Sequence, residues 1–153
     1  MRRKDKEIMD RMEIEMIIGK APVCRLGMTD GEYPYVVPLC FGYRDNALYF
    51  HSALKGKKLD MLRKNSRVCF EMDIGHEIKR HEQPCKWGMG YKSVIGFGEA
   101  SFIEDNKAKQ DALDVIMAHY SDSNGPFEYP DTALGHTVII KVDIRQMAGK
   151  KSE

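Results

Sequence analysis

Between Tyr33 and Asp73 the chain passes through a strand, a turn, a second strand and a helix in an order that restricts both fold and ligand. Tyr33 to Tyr43 is rich in aromatic and β-branched residues, and Arg44-Asp45-Asn46 supplies hairpin-turn chemistry. Ala47 to His51 returns as the second strand, and Ser52-Ala53 then leads to Lys55-Gly56-Lys57-Lys58, which opens a helix. Gly56 lets the backbone approach a ligand closely. Lys57 and Lys58 set two cations beside the unsatisfied N–H groups of a first helical turn. Phosphate is the anion that such an arrangement suits.

The remaining segments complete a small barrel. Asp10 to Ile18 places Met12, Ile14, Met16, Ile17 and Ile18 among carboxylates ahead of Gly19-Lys20, a short helix with a glycine stop. Ala21 to Thr29 reads as a strand and Asp30-Gly31-Glu32 as a turn, so the first three strands form an antiparallel meander. Lys57 to Asn65 is a helix, and Arg67 to Asp73 alternates as a fourth strand with one buried face. Residues 74–89 keep no period and are expected to form a long surface loop. Tyr91 to Ile103 is a long strand whose Gly96 and Gly98 suit a bend at a barrel corner. A helix over Asn106–Tyr120, a polar linker over 121–134 and a last strand over Thr137–Ile144 follow. Six strands closing on themselves, with helices as plugs, make one α+β domain over residues 1–153.

With 24 basic and 23 acidic residues the net charge is +1, so nothing draws the whole chain to nucleic acid or an anionic membrane. Anion binding has to be local. No apolar run approaches the ~20 residues of a membrane helix, and the basic amino terminus lacks a signal-peptide core. Cys24, Cys40, Cys69 and Cys85 stand singly without zinc spacing and read as buried free thiols in a reducing cytoplasm. A cytoplasmic protein without a metal is expected. His76 and His81 read as solvated loop residues, His119 and His136 as structural ones.

Val36-Val37-Pro38 on one strand, the strand end Tyr49-Phe50-His51-Ser52-Ala53, Lys57-Lys58 before a helix, and Tyr91-Lys92-Ser93-Val94-Ile95-Gly96-Phe97-Gly98 together resemble the FMN-binding split-barrel superfamily of pyridoxamine 5′-phosphate oxidase-like proteins. Within it the chain is most similar to the nitroimidazole-resistance type, from Arg2-Arg3-Lys4 to the final strand. The resemblance implies a six-stranded antiparallel split β-barrel with flanking helices, and a homodimer with FMN sites at the subunit interface. It places the FMN phosphate on Lys57 and Lys58, the flavin or ribityl chain against His51, Ser52 and Ala53, and the ring beside Val37, Pro38 and Leu39. Lys92, Ser93 and Val94 match the strand that reaches the cofactor from the second subunit, and Trp87 is a candidate cover for flavin or substrate.

True pyridoxamine phosphate oxidases grip their substrate with a carboxy-terminal Arg-x-His segment, whereas this chain reads Asp143-Ile144-Arg145-Gln146-Met147 there. Vitamin oxidase activity is therefore not expected. The implied activity is that of an FMN-dependent oxidoreductase passing electrons to a nitroaromatic or related small-molecule electron acceptor, with His51 the candidate proton donor. The alternative is a non-catalytic flavin- or haem-binding protein on the same barrel.

Overall fold

The computed structural model describes residues 4–123 and 125–152. Arg2 and Arg3, where the resemblance begins, lie outside them. In chain order the elements are β1 (Glu7–Ile8), α1 (Arg11–Lys20), β2 (Cys24–Thr29), β3 (Pro34–Leu39), β4 (Gly42–Arg44) and β5 (Ala47–Ala53). They continue with α2 (Lys57–Lys64), β6 (Arg67–Lys79), β7 (Gly88–Ile103), α3 (Asn106–Tyr120), α4 (Asp131–Gly135) and β8 (Thr137–Ser152).

Every segment expected as a strand is one, but the sheet has eight strands rather than six. The 33–43 run breaks at Cys40-Phe41 into β3 and β4, and β1 pairs with the end of β8. The turn between β4 and β5 forms as its residues require. Asp45 (φ 52°) and Asn46 (φ 59°) both take the left-handed conformation of a type I′ turn, which short polar side chains tolerate.

The expected 74–89 loop is largely a β-ribbon. Beyond a register shift after Ile74, Glu77 pairs with Gly90, Ile78 with Met89 and Lys79 with Gly88, and a 3-10 turn at Pro84–Lys86 caps the tip. Its side chains are exposed on both faces, so no buried stripe marks it in the sequence. β8 likewise runs past Ile144 to Ser152, because β7 pairs with it on both sides of a bulge at Arg145, between the Gly98–Ile144 and Phe97–Gln146 pairs. The 121–134 linker contains the short helix α4.

Strand order is β3-β2-β6-β7-β8-β5-β4, antiparallel throughout. Among the described residues no ladder joins the two ends, β3 and β4. They are nevertheless consecutive in the chain, linked only by Cys40 and Phe41. A sheet whose first and last strands are two residues apart has to curl on itself, so the architecture is a rolled antiparallel sheet with a seam. Phe41 is fully buried at that link, and the Tyr120 hydroxyl pins it, accepting from the Phe41 N–H (3.1 Å) and donating to the Pro22 carbonyl (3.0 Å).

The concave side is filled by Leu26, Leu48, Phe50, Phe70, Met72, Val94 and Ile140. Helix α1 adds Ile14, Ile17 and Ile18 to it, its start capped by the Asp10 carboxylate accepting from the Met12 N–H at 3.0 Å. A second, smaller cluster lies on the convex side, where Ala112 and Ile116 of α3 cover Ile139 and Tyr49. Of the thiols, only Cys24 is fully buried. Cys69 is half-buried, while Cys40 and Cys85 are exposed, a correction to the expectation of four buried thiols. Burial pushes the Cys24 thiol far above its ordinary range.

Candidate functional site

The β5–α2 junction sits at the seam. β4 pairs with β5 only as far as Tyr49, so from Phe50 to Ala53 the strand is hydrogen-bonded on one side, to β8, and open on the other. β3 is also an edge strand, paired with β2 alone, and its Pro34 and Pro38 lack the N–H that a second neighbour would need. Two unpaired backbone edges therefore border the seam.

Helix α2 starts at the same place. Its N-cap is Gly56, at φ 143°, a conformation that favours glycine, and no side chain caps the first turn. A Cβ at Gly56 would meet nothing within 4 Å, so the space in front of the helix start is open. The Lys57 ammonium lies over the Tyr35 ring, 4.6 Å from its centroid, which ties the helix start to β3. Lys58 is half-buried, and among the described residues no carboxylate pairs with it. Burial lowers its pKa, the signature of a cation that has lost water without gaining a counter-charge. An anion in front of Gly56 would supply both the charge and acceptors for the first-turn N–H groups.

Around this point the expected residues separate by face. Val37 and Leu39 turn with Tyr35 towards the core, while Pro38 is exposed beside Val36 on the other face. His51 and Ala53 are exposed, and Ser52 is half-buried with Phe50 before it. His51 makes no hydrogen bond among the described residues.

Lys92, Ser93, Val94 and Trp87 are elsewhere. His51 faces Ile139 on β8, whereas Ser93 faces Lys150, eleven residues further along that strand. At about 3.3 Å per residue this is roughly 36 Å of strand. One chain does not bring these groups together. The Val94 side chain is wholly inside the core, so only its backbone is available to a ligand. The Lys92 ammonium is bonded to the Glu13 carboxylate at 2.6 Å. Trp87 stands at the ribbon tip, its indole N–H donating to the His81 carbonyl at 2.6 Å under the Arg80 guanidinium.

The convex face of β3, β2, β6 and β7 is a further surface that no local sequence motif marks. There Val36, Gly27, Cys69 and Phe97 form one row across four strands, and Pro38, Arg25, Glu71 and Ile95 the next. Gly27 leaves a hollow in an apolar groove of about 650 Å³, walled by Pro34, Val36 and Phe97. Phe97 and Ile95 are 48% and 43% exposed, large values for such side chains in a continuous patch. Arg25 bridges Glu71 (3.0 Å) and Asp73 (2.8 Å) at its margin, and His76 reaches Asp73 at 2.9 Å. Burial resists ionisation of Asp73, yet Arg25 and His76 together hold its carboxyl below the ordinary value. The signal was in β7, where Val94 is apolar on one face and Ile95 and Phe97 on the other, as in a strand covered on both sides.

A family model described as pyridoxamine 5′-phosphate oxidase matches residues 10–151. Among solved structures, a candidate 5-nitroimidazole antibiotic resistance protein from Bacteroides thetaiotaomicron is 40% identical, with 96% of this chain and 90% of that one covered and a TM-score of 0.83. An FAD-binding protein from Mesorhizobium loti is 28% identical over 95% of this chain and 96% of its own, with a TM-score of 0.67. A flavocytochrome from Azotobacter vinelandii has a TM-score of 0.87 over 100% of this chain and 72% of its own, but at 16% identity the likeness concerns the fold alone. An uncharacterized curated protein of Rhizobium meliloti is 29% identical over 65 residues, 42% of either chain. No helix among the described residues is long and apolar enough to cross a membrane.

Proposed function

The chain belongs to the pyridoxamine 5′-phosphate oxidase family, and on that basis we propose that it is an FMN-dependent oxidoreductase acting on nitroaromatic or related small electron acceptors. The observation that carries the reading is Lys58, a half-buried ammonium with no carboxylate partner among the described residues, beside an uncapped helix start. The likeness to the Bacteroides thetaiotaomicron protein supports the choice of acceptor. Bound there, the flavin would supply the redox chemistry. Lys57, Lys58 and the first-turn N–H groups hold the phosphate. The open edges of β3 and β5, including the backbone of Val37 and Leu39, offer partners to the polar atoms of the ring, and Pro38, His51, Ser52 and Ala53 border it.

The working unit is a homodimer. Lys92, Ser93 and Val94 are too far along β8 to serve the seam of their own chain, so in this reading they serve the partner's. The convex apolar groove is the surface that the two copies share, the same patch on both in an isologous contact. Phe97→Glu is expected to give a monomer in analytical ultracentrifugation. It is also expected to lose FMN on desalting, although it alters no phosphate-binding group. A dimeric Phe97→Glu variant would remove this interface.

The activity is tested by anaerobic reoxidation. Flavin bound to the protein and reduced with dithionite is expected to reoxidise on addition of 2-methyl-5-nitroimidazole faster than free reduced FMN does. An equal rate would leave a flavin-binding protein without this turnover.

A further inference from the structure

We propose that Tyr91, held by Lys150, is the proton donor of this reaction, contributed by each chain to the flavin site of its partner. The inference rests on the dimeric flavin site proposed above and adds a residue to it. Tyr91 and Lys150 occupy neighbouring strands, with Tyr91 two residues before Ser93 and Lys150 opposite Ser93. All three are half-buried on the convex face that also carries Ile95 and Phe97. The Lys150 ammonium donates to the Tyr91 hydroxyl at 2.6 Å and lies 5.2 Å from the ring centroid. The phenol oxygen is thus used as an acceptor, and its own O–H has no acceptor among the described residues. Tyr91 is also among the residues lining a cavity of about 220 Å³, most of whose wall comes from the other face of the sheet, including Ile74, Lys92 and Lys151.

That geometry is what a general acid needs: a fixed oxygen, an uncommitted proton and a positive charge facing the oxygen from which the proton leaves. His51 lacks the first and the last, being exposed with no hydrogen bond to fix its ring and no cation bonded to it among the described residues. Conversion of a nitro group to a nitroso group takes two electrons and two protons, breaks one N–O bond and releases water. A hydride from the reduced flavin accounts for both electrons and one proton. Tyr91 gives the other proton to the departing oxygen, and the phenolate left beside the Lys150 ammonium recovers a proton from water. Tyr91 is the catalytic residue and Lys150 the positioning one.

The test uses the dithionite-reduced, FMN-loaded dimer and 2-methyl-5-nitroimidazole in anaerobic stopped flow. Tyr91→Phe is expected to slow flavin oxidation about 100-fold, the ordinary scale of a lost general acid. Its FMN affinity and flavin absorption spectrum should stay at the wild-type values, and the solvent isotope effect of the wild type should vanish. Lys150→Arg keeps a cation beside the oxygen and should retain most of the rate, whereas Lys150→Met should lose it and change the pH profile. A mixed dimer of Tyr91→Phe and Lys57→Ala/Lys58→Ala chains separates the two halves. It should hold one FMN, on the Tyr91→Phe chain, that reacts at the wild-type rate because the intact Tyr91 comes from across the interface. Slow reaction in that mixed dimer, or an unchanged rate in Tyr91→Phe with FMN still bound, overturns the inference and leaves the flavin site standing. Absence of flavin from the wild type overturns both.

Discussion

Replacing Lys57 and Lys58 together by alanine is expected to weaken FMN binding at least 100-fold while leaving the melting temperature of the ligand-free protein unchanged or slightly higher. Hydrogen bonds to charged groups are each worth about 1.5–3 kcal/mol, so the loss of two lysine–phosphate contacts amounts to about 3–6 kcal/mol. The stability side follows from Lys58. Its folded pKa is lowered by burial, so its charged form is penalised in the folded state. That penalty is complete below the folded pKa and is relieved as pH rises through it, so at neutral pH the wild type carries it and the variant does not. Lys107→Ala is the control, since Lys107 is exposed on α3 and paired with Asp111 at 2.8 Å. Fluorescence titration with FMN and a thermal melt, run on all three proteins, measure both effects. Equal FMN affinity in the double variant would remove the phosphate assignment.

Gly42→Ala is expected to cost about 3 kcal/mol or more, a fall in melting temperature of roughly 6–12 °C for a domain of this size. A Cβ at Gly42 would lie 2.6 Å from both the backbone carbon and the carbonyl oxygen of Val115. No flexible side chain can yield there. Helix α3 would have to lift from β4, and with it the Tyr120 clamp on the Cys40-Phe41 link. Gly27→Ala provides the contrast, because its Cβ would make only ordinary contacts, the nearest at 3.4 Å to the Cys69 carbonyl oxygen. That variant is expected to keep its melting temperature in the monomer and to disturb the association of chains through the convex groove. Differential scanning calorimetry of Gly42→Ala and Gly27→Ala separates the two roles.

What could be read from the sequence was whatever carries a local signature. The Asp45-Asn46 turn, the Gly56 helix start and the buried stripe of β6 each show in a few consecutive residues. The expected 74–89 loop failed for the opposite reason. Ile78, Trp87 and Met89 are exposed on a ribbon whose two strands are joined by backbone pairing, and backbone pairing leaves no pattern in side chains. The extension of β8 to Ser152 was hidden in the same way. Around the candidate site, Lys57 and Lys58 were legible because lysines, a glycine and a helix start lie within four residues. The Lys150–Tyr91 contact, between residues 59 apart in sequence, depends on the β7–β8 register and could not be. Nor could the convex groove, which assembles from four strands.

FMN binding at the seam beside Gly56 is decided by the ultraviolet-visible spectrum of the purified full chain before and after incubation with FMN and desalting. Paired flavin bands at ~370 and ~450 nm that survive desalting in the wild type, and are lost in Lys57→Ala/Lys58→Ala, are the expected result. A wild-type spectrum without flavin bands after loading would contradict it.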